Sequence, residues 1–439
     1  MEESFMKRSM KIAIPVALQA MLQSSFSIID QVMVGQLGKE SIAAVEIGGK
    51  PGFVFAFVSG AVATVTGIMV SQYIGKKDRE KINSAMSVNL CVMLFLAVLT
   101  SLLCLFWPDA LAGIFTGDEK VIGRAADYIR ITAAIFPMSG VATVLAVLLR
   151  CENHANYPLY ISAASAVVNT ILNFSLIFGH MGMPAMGVKG AAIASVISQI
   201  VNLLLMLGAF GRLIDFRFSL RLEKEDLKQY VIMLVPIVCN EFLWTLGQNV
   251  NTYIYGHMGT CELAGMSLTG PIQVLLIGAL SGLSQAAGIL IGKRLGEQEY
   301  EKAYSESRIL CLYGLIGSIV LSVLLILGRN YYISLYNVED SVRRIGSLLL
   351  ITFAVLAPVK VANMILGGGI IRSGGRTKYI MMIDIFGTWL VGVPLGLYTG
   401  LVLKLPIVWV YFILSQEELV RLIITIFMFR SRKWMNTIA

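Results

Sequence analysis

Residues 15–44 read PVALQAMLQSSFSIIDQVMVGQLGKESIAA, and residues 236–265 read PIVCNEFLWTLGQNVNTYIYGHMGTCELAG. Laid over each other at an offset of 221 positions, they bring Pro15 onto Pro236, Leu22 onto Leu243 and Gly35 onto Gly256. Gly38 then meets Gly259, and Ala43 meets Ala264. Carried outward, the same offset pairs Gly49 with Gly270, Gly67 with Gly288, Gly75 with Gly296, Glu80-Lys81 with Glu301-Lys302, and Pro137 with Pro358. One position more matches Arg150 with Arg372 and Tyr157 with Tyr379. Glycine and proline mark turns and kinks, so the repeated feature is a backbone path. The chain is an internal duplication.

Each half is built of long apolar blocks. Of the 439 residues, 56% are hydrophobic and 14% charged, against about 45–50% and about 25% in a soluble chain. A membrane span takes about 20 apolar residues. The blocks predict spans near 8–34, 41–75, 84–107, 127–149, 157–179, 187–211, 227–255, 262–292, 306–327, 344–371, 379–403 and 406–430. The expected fold is an all-α polytopic membrane protein of about 12 transmembrane helices in two six-helix lobes, 1–211 and 227–439, joined by a cytoplasmic linker at 212–226. The last block is the least regular, because Ser415, Gln416, Glu417 and Glu418 interrupt it. Most of the 35 Lys and Arg fall at the two termini and in the even-numbered loops, which predicts both termini inside. Six spans per half give both halves one orientation, related by an axis along the membrane normal with a working cavity between them.

Several function classes fall away. The net charge of +8 forms no basic stripe, so nucleic acid is not an expected partner. The six cysteines contain no CxxC, and the three histidines, at 154, 180 and 257, stand near loops. Neither a disulfide framework nor a metal centre is indicated. Gly367-Gly368-Gly369 lacks the Gly-Lys-Ser/Thr context of a phosphate loop and reads as close helix packing. No His-Glu-x-x-His or comparable catalytic set is present, so an enzyme is not expected and no cofactor is implied. The opening MEESFMKRSMK has no small-residue cleavage site and reads as a cytosolic lead-in.

The two quoted segments, with SQYIGKKDREK at 71–81, LRCENHANYP at 149–158 and IRSGGRTKYIMMIDIFGTWLVGVPLG at 371–396, resemble the multidrug and toxic compound extrusion (MATE) family of transporters. That family lies within a superfamily that also holds lipid-linked saccharide flippases. The resemblance covers nearly the whole chain. It implies export of organic cations in antiport with Na⁺ or H⁺.

Asp30 stands about 19 residues beyond Lys11, roughly 28 Å along a continuous helix. An ionisable group inside a span points to function by default. Asn169 and Asn173 share a face of span 5 at i, i+4, about 17–22 Å from the Pro158 end. A carboxylate with amide oxygens is a hard shell suited to Na⁺, and a carboxylate alone can carry H⁺; the plainer reading is a hydrogen-bonded packing contact. In the MATE family the aligned positions form the cation site of the N-terminal lobe, at times with a hydroxyl from span 6, here Ser195. In span 7, Glu241 lies near mid-membrane with Trp244 and Gln248 on successive turns of one face. Charge and cation–π attraction there suit an organic cation, and the resemblance places an acid at this position in many relatives. Lys360 departs from the family, whose members tend to carry an acid in this stretch of span 10. The plainer reading of Glu241 is a carboxylate held in a salt bridge, for which Lys360, also near mid-membrane, is a concrete partner, and substrate or H⁺ could break that pair. Asp384 in span 11 is either a coupling residue or a helix end facing the cytoplasm. Pro15, Pro137, Pro236 and Pro358 are expected kinks or hinges. Glu418 and Arg421 at i, i+3 are an expected local pair.

The leading expectation is therefore a secondary active multidrug exporter working by alternating access, a monomer in a bacterial inner membrane with organic cations as its small-molecule partners. The alternative is a flippase for a lipid-linked saccharide or another amphipathic lipid, to which Lys360 would be suited.

Overall fold

The computed structural model describes residues 4–221, 223–336 and 338–438. The first three residues of the basic lead-in and Leu222 of the linker lie outside them. Helices run Phe5–Gly35 (span 1), Glu40–Lys76 (span 2), Arg79–Phe106 (span 3), Asn156–Phe178 (span 5), Val188–Leu213 (span 6), Lys224–Met258 (span 7) and Thr260–Gly296 (span 8). They continue with Tyr300–Ser334 (span 9), Asp340–Ile371 (span 10) and Thr377–Val402 (span 11). These ten are each long and apolar enough to cross a membrane, and no strand occurs among the described residues.

Span 4 is a bent pair, Glu119–Thr132 and Ile135–Cys151, meeting at 46°. The break at Ala133–Ala134 falls where the ring of Pro137 conflicts with the carbonyl four residues back, that of Ala133. Span 12 is also broken: Ile407–Leu414, then Gln416–Arg430, with Ser415 between them. Its charged second piece keeps it from reading as a plain apolar span. Pro15 and Pro236 lie inside helices that run on past them. Six residues beyond Pro358, the backbone ladder of span 10 widens to the π pattern over Met364–Ile371.

Two compact units are present. One comprises Leu18–Val70 and Asp78–Glu223; the other comprises Met1–Ala17, Ser71–Lys77 and Lys224–Ala439. We call them the N-unit and the C-unit. The boundaries fall inside spans 1 and 2, so the end of span 2 packs with the C-terminal half of the chain.

The duplication is written into the backbone. Lys77 and Gln298, 221 positions apart, both have φ of 60° in the turns that follow spans 2 and 8. Asn153 (φ 66°) and Gly375 (φ 74°) stand in the turns after spans 4 and 10. Gly38 and Gly259 both take positive φ just before spans 2 and 8. Asp78 caps span 3 in the usual way, its carboxylate accepting from the Lys81 amide at 3.0 Å.

Within the C-unit, the ends of spans 2 and 8 cross at two repeat-related glycines. A Cβ on Gly75 would stand 2.1 Å from the Lys293 carbonyl oxygen. A Cβ on Gly296 would stand 2.0 Å from that of Gln72. Gln72 and Lys293 are themselves an offset pair, so the contact is reciprocal. The glycine run of span 10 serves the same end: a Cβ on Gly369 would lie 2.5 Å from the Ser284 carbonyl oxygen, and the Ser284 hydroxyl donates to the Met364 carbonyl at 2.7 Å. Close helix approach is what these glycines provide, as expected from the sequence for the run at 367–369.

The crossing yields a test. Gly296→Ala should destabilise the protein by about 1–3 kcal/mol through overpacking against backbone. Gly60→Ala, with no atom within 4 Å of the added methyl, should be neutral or slightly stabilising. Thermal unfolding of both variants in one detergent decides it, and equal melting temperatures would refute the close approach.

Candidate ion and substrate sites

In the N-unit, spans 1 and 5 bring a carboxylate and two amides together. The Asn173 amide nitrogen donates to Asp30 Oδ1 at 2.8 Å and to Asn169 Oδ1 at 3.1 Å. Asn173 is 2% exposed and Asn169 9%, so these bonds are screened from solvent. The i, i+4 spacing on one helix lets both amides face one point on span 1. Asn169 can serve this carboxylate in two ways. Its side chain lies 3.0 and 3.1 Å from the two Asp30 oxygens; with its nitrogen turned inward it donates to both. With its oxygen inward it accepts from Asn173 at 3.1 Å but lies beside both Asp30 oxygens, an approach of oxygen to oxygen that a cation, or a proton on Asp30, relieves.

Ser195 is placed differently from the expectation. Its hydroxyl meets the Tyr128 hydroxyl, and Tyr128 in turn is near enough to feel the Asp30 charge. The span 6 hydroxyl that reaches an amide is Ser198, 3.4 Å from Asn169. Tyr128 had no repeat partner or motif to draw attention to it. It is held by packing: a Cβ on Gly48 would meet its ring at 2.6 Å.

Elsewhere in the same unit, Gln19 donates to the Ser162 hydroxyl at 2.7 Å and accepts from Arg150 at 2.8 Å. The duplication sends Gln19 to Asn240, Ser162 to Asp384 and Arg150 to Arg372. The C-unit repeats the first contact, Asn240 donating to Asp384 Oδ2 at 2.8 Å, while Arg372 stands 4.0 Å from Glu241, the chain neighbour of Asn240. Asn240 and Arg372 carry no motif of their own, and the signal for both is the offset applied to Gln19 and Arg150.

The alternative Glu241–Lys360 bridge does not form. Glu241 takes Arg372, because the repeat places an arginine at the end of span 10 facing span 7. Lys360 instead lies 5.8 Å from the ring centres of both Phe353 and Tyr411 and faces Glu418 and Glu417 of span 12. Asp384 is no helix end facing water. It pairs with Arg421, its side chain 13% exposed. Arg421 also reaches Glu418 at 3.4 Å, the expected local pair, and the Asn363 amide donates to Glu418 at 2.8 Å. Trp244 and Gln248 are exposed side chains of span 7. Trp389 donates to the Leu243 carbonyl at 3.3 Å, a packing role.

Comparison with known proteins bears on the family and the fold. The MatE family model matches residues 15–175 and 236–399, one stretch in each half. The chain is 23% identical over 429 residues to the uncharacterized transporter YisQ of Bacillus subtilis, covering 96% of this chain and 93% of that one. It is 24% identical over 402 residues to the probable multidrug resistance protein NorM of Pasteurella multocida, covering 89% and 85%. Among solved structures, an outward-facing multidrug resistance MATE transporter of the MOP superfamily superposes with a TM-score of 0.89. There the identity is 19%, and 98% of this chain and 97% of that one are covered. A MOP superfamily transporter from Pyrococcus furiosus also gives 0.89, at 19% identity over 98% and 96%. At such identities the structures speak for the fold.

The two polar clusters should differ in what they contribute to stability. Arg421→Gln leaves two buried carboxylates without their counter-charge and should cost about 3–5 kcal/mol. Asn173→Ala removes one donor from Asp30 and should cost about 1–3 kcal/mol. Melting temperatures of the purified variants check the order, and a neutral Arg421→Gln would contradict the ion-pair assignment.

Proposed function

The chain belongs to the MatE family, and from that membership together with the Asp30 cluster we propose that it is a secondary active multidrug exporter. It extrudes organic, mostly cationic compounds in antiport with Na⁺ or H⁺. The observation that carries this reading is the convergence of Asp30 with the Asn169 and Asn173 amides between two membrane-spanning helices. An ion entering there exchanges the inward nitrogen of Asn169 for an inward oxygen, so ion occupancy and amide orientation are linked. A proton on Asp30 would satisfy the same inward oxygen by donating to it. Either way, the occupied and empty states differ in local hydrogen bonding, which is what coupling to a conformational change requires.

Tyr128 and Ser195 extend this cluster to spans 4 and 6, so the state of Asp30 is felt on four helices of the N-unit. Glu241 in the C-unit, with Arg372 at 4.0 Å, is the proposed carboxylate for the organic cation. A bound cation there would compete with the arginine for the carboxylate. The protein works as a monomer in a bacterial inner membrane with both termini cytoplasmic, the orientation that the Lys and Arg distribution favours. Transport proceeds by alternating access, and the bend at Ala133–Ala134 with the widened ladder after Pro358 supplies deformable points in spans 4 and 10.

Ethidium efflux from proteoliposomes tests the reading. An imposed inward Na⁺ or H⁺ gradient should drive efflux from wild-type vesicles, and Asp30→Asn should abolish the gradient-driven part. Efflux that persists undiminished in Asp30→Asn would remove Asp30 from the coupling role.

A further inference from the structure

Span 12 carries a carboxyl that no ion pair uses. Three acids, Asp384, Glu417 and Glu418, share a buried region of the C-unit with two cations, Lys360 and Arg421. Arg421 holds Asp384 and Glu418. Asn240 and Asn363 add a hydrogen bond to each of those acids, both at 2.8 Å. Lys360 faces Tyr411, Glu418 and Glu417 across its aromatic seat. The neighbouring Glu241–Arg372 pair is balanced within itself and adds no net charge. With every group ionised, the five residues carry one negative charge too many.

Glu417 is where that excess falls. It is 7% exposed and makes no ion pair within 4 Å among the described residues. Its carboxyl meets the Thr388 hydroxyl of span 11 and packs so closely on the bare face of Gly392 that a Cβ there would stand 2.3 Å from Oε2. The groups facing it are Lys360 from span 10, Tyr255 from span 7, and Glu418 and Arg421 from its own helix. The cluster is also short of donors, because the buried Asn363 Oδ1 has none among the described residues. An uncompensated carboxylate cannot be kept in such surroundings without a proton or a cation. The Thr388 hydroxyl, which can accept as well as donate, suits a carboxylic acid.

We propose that Glu417 is a proton-binding site of the C-unit, occupied at neutral pH and separate from the Asp30 cluster. A proton there brings the cluster to neutrality and adds a donor without disturbing either Arg421 pair. Its release changes the charge of the unit by one while every ion pair stays intact. The inference stands on the burial and pairing of the C-unit alone and does not depend on what the protein exports.

Infrared spectroscopy of the purified protein in lipid, at neutral pH, tests it. The wild type should show a protonated-carboxyl band that Glu417→Gln removes. Because the amide mimics the protonated acid, Glu417→Gln should keep the wild-type melting temperature, while Glu418→Gln should lower it. A band unchanged in Glu417→Gln, or one lost only in Asp30→Asn, overturns the assignment. A Glu417→Gln protein that fails to fold, or melts below Glu418→Gln, overturns it too.

Discussion

Hydrocarbon offers an ionisable side chain neither water nor counter-ion, so every such residue inside a span must find its partners within the protein. That constraint orders the polar positions of this chain. Asp30 is met by two amides from span 5. Asp384 and Glu418 share Arg421, and Glu241 has Arg372. Lys360 is seated between two aromatic rings with acids beyond. The helices are apolar enough to insert; these few contacts fix which faces meet.

The duplicated halves meet the constraint with different chemistry on one backbone path. Gln19, Ser162 and Arg150 make a neutral pair of hydrogen bonds around a single charge. At the equivalent positions, Asn240, Asp384 and Arg372 work among charged neighbours. Asp30 has no acidic counterpart, since the offset leads to Asn251. In the N-unit the Asp30 carboxylate is met by amides alone, and under the proposed function it takes up and loses a small cation. The C-unit holds a crowded network in which most charges are already committed to one another.

Much of this was legible before any coordinates. Long apolar blocks set most of the spans to within a few residues, because a membrane helix announces itself by length and composition; the polar ends of spans 4 and 9 carry the helices further, to Glu119 and over Tyr300–Ser334. The repeated glycines marked the turns; that Gly75 and Gly296 also let spans 2 and 8 cross closely shows only in the packing, where one backbone meets another. Asp30 with Asn169 and Asn173 followed from depth and helical phase. The pairings in the C-unit were not legible. Depth alone put Glu241 and Lys360 at the same level, but rotation about the helix axis decides contact, and spans 10 to 12 contain stretches of π ladder and a break at Ser415 that shift that rotation. Span 12 looked doubtful for the same reason it matters: Glu417 and Glu418 are poor residues for a lone apolar helix and acceptable ones beside Lys360 and Arg421.

The central claim is that occupancy of Asp30 by a small cation is linked to movement of the organic compound. Linkage is reciprocal, so a compound gradient must drive ion movement as surely as an ion gradient drives the compound. The most direct measurement loads ethidium into proteoliposomes with no ion gradient imposed and follows Na⁺ and H⁺ entry as the dye leaves. The account predicts inward movement of one of these ions in step with dye efflux, lost in Asp30→Asn. Dye efflux from wild-type vesicles with neither ion entering would contradict it.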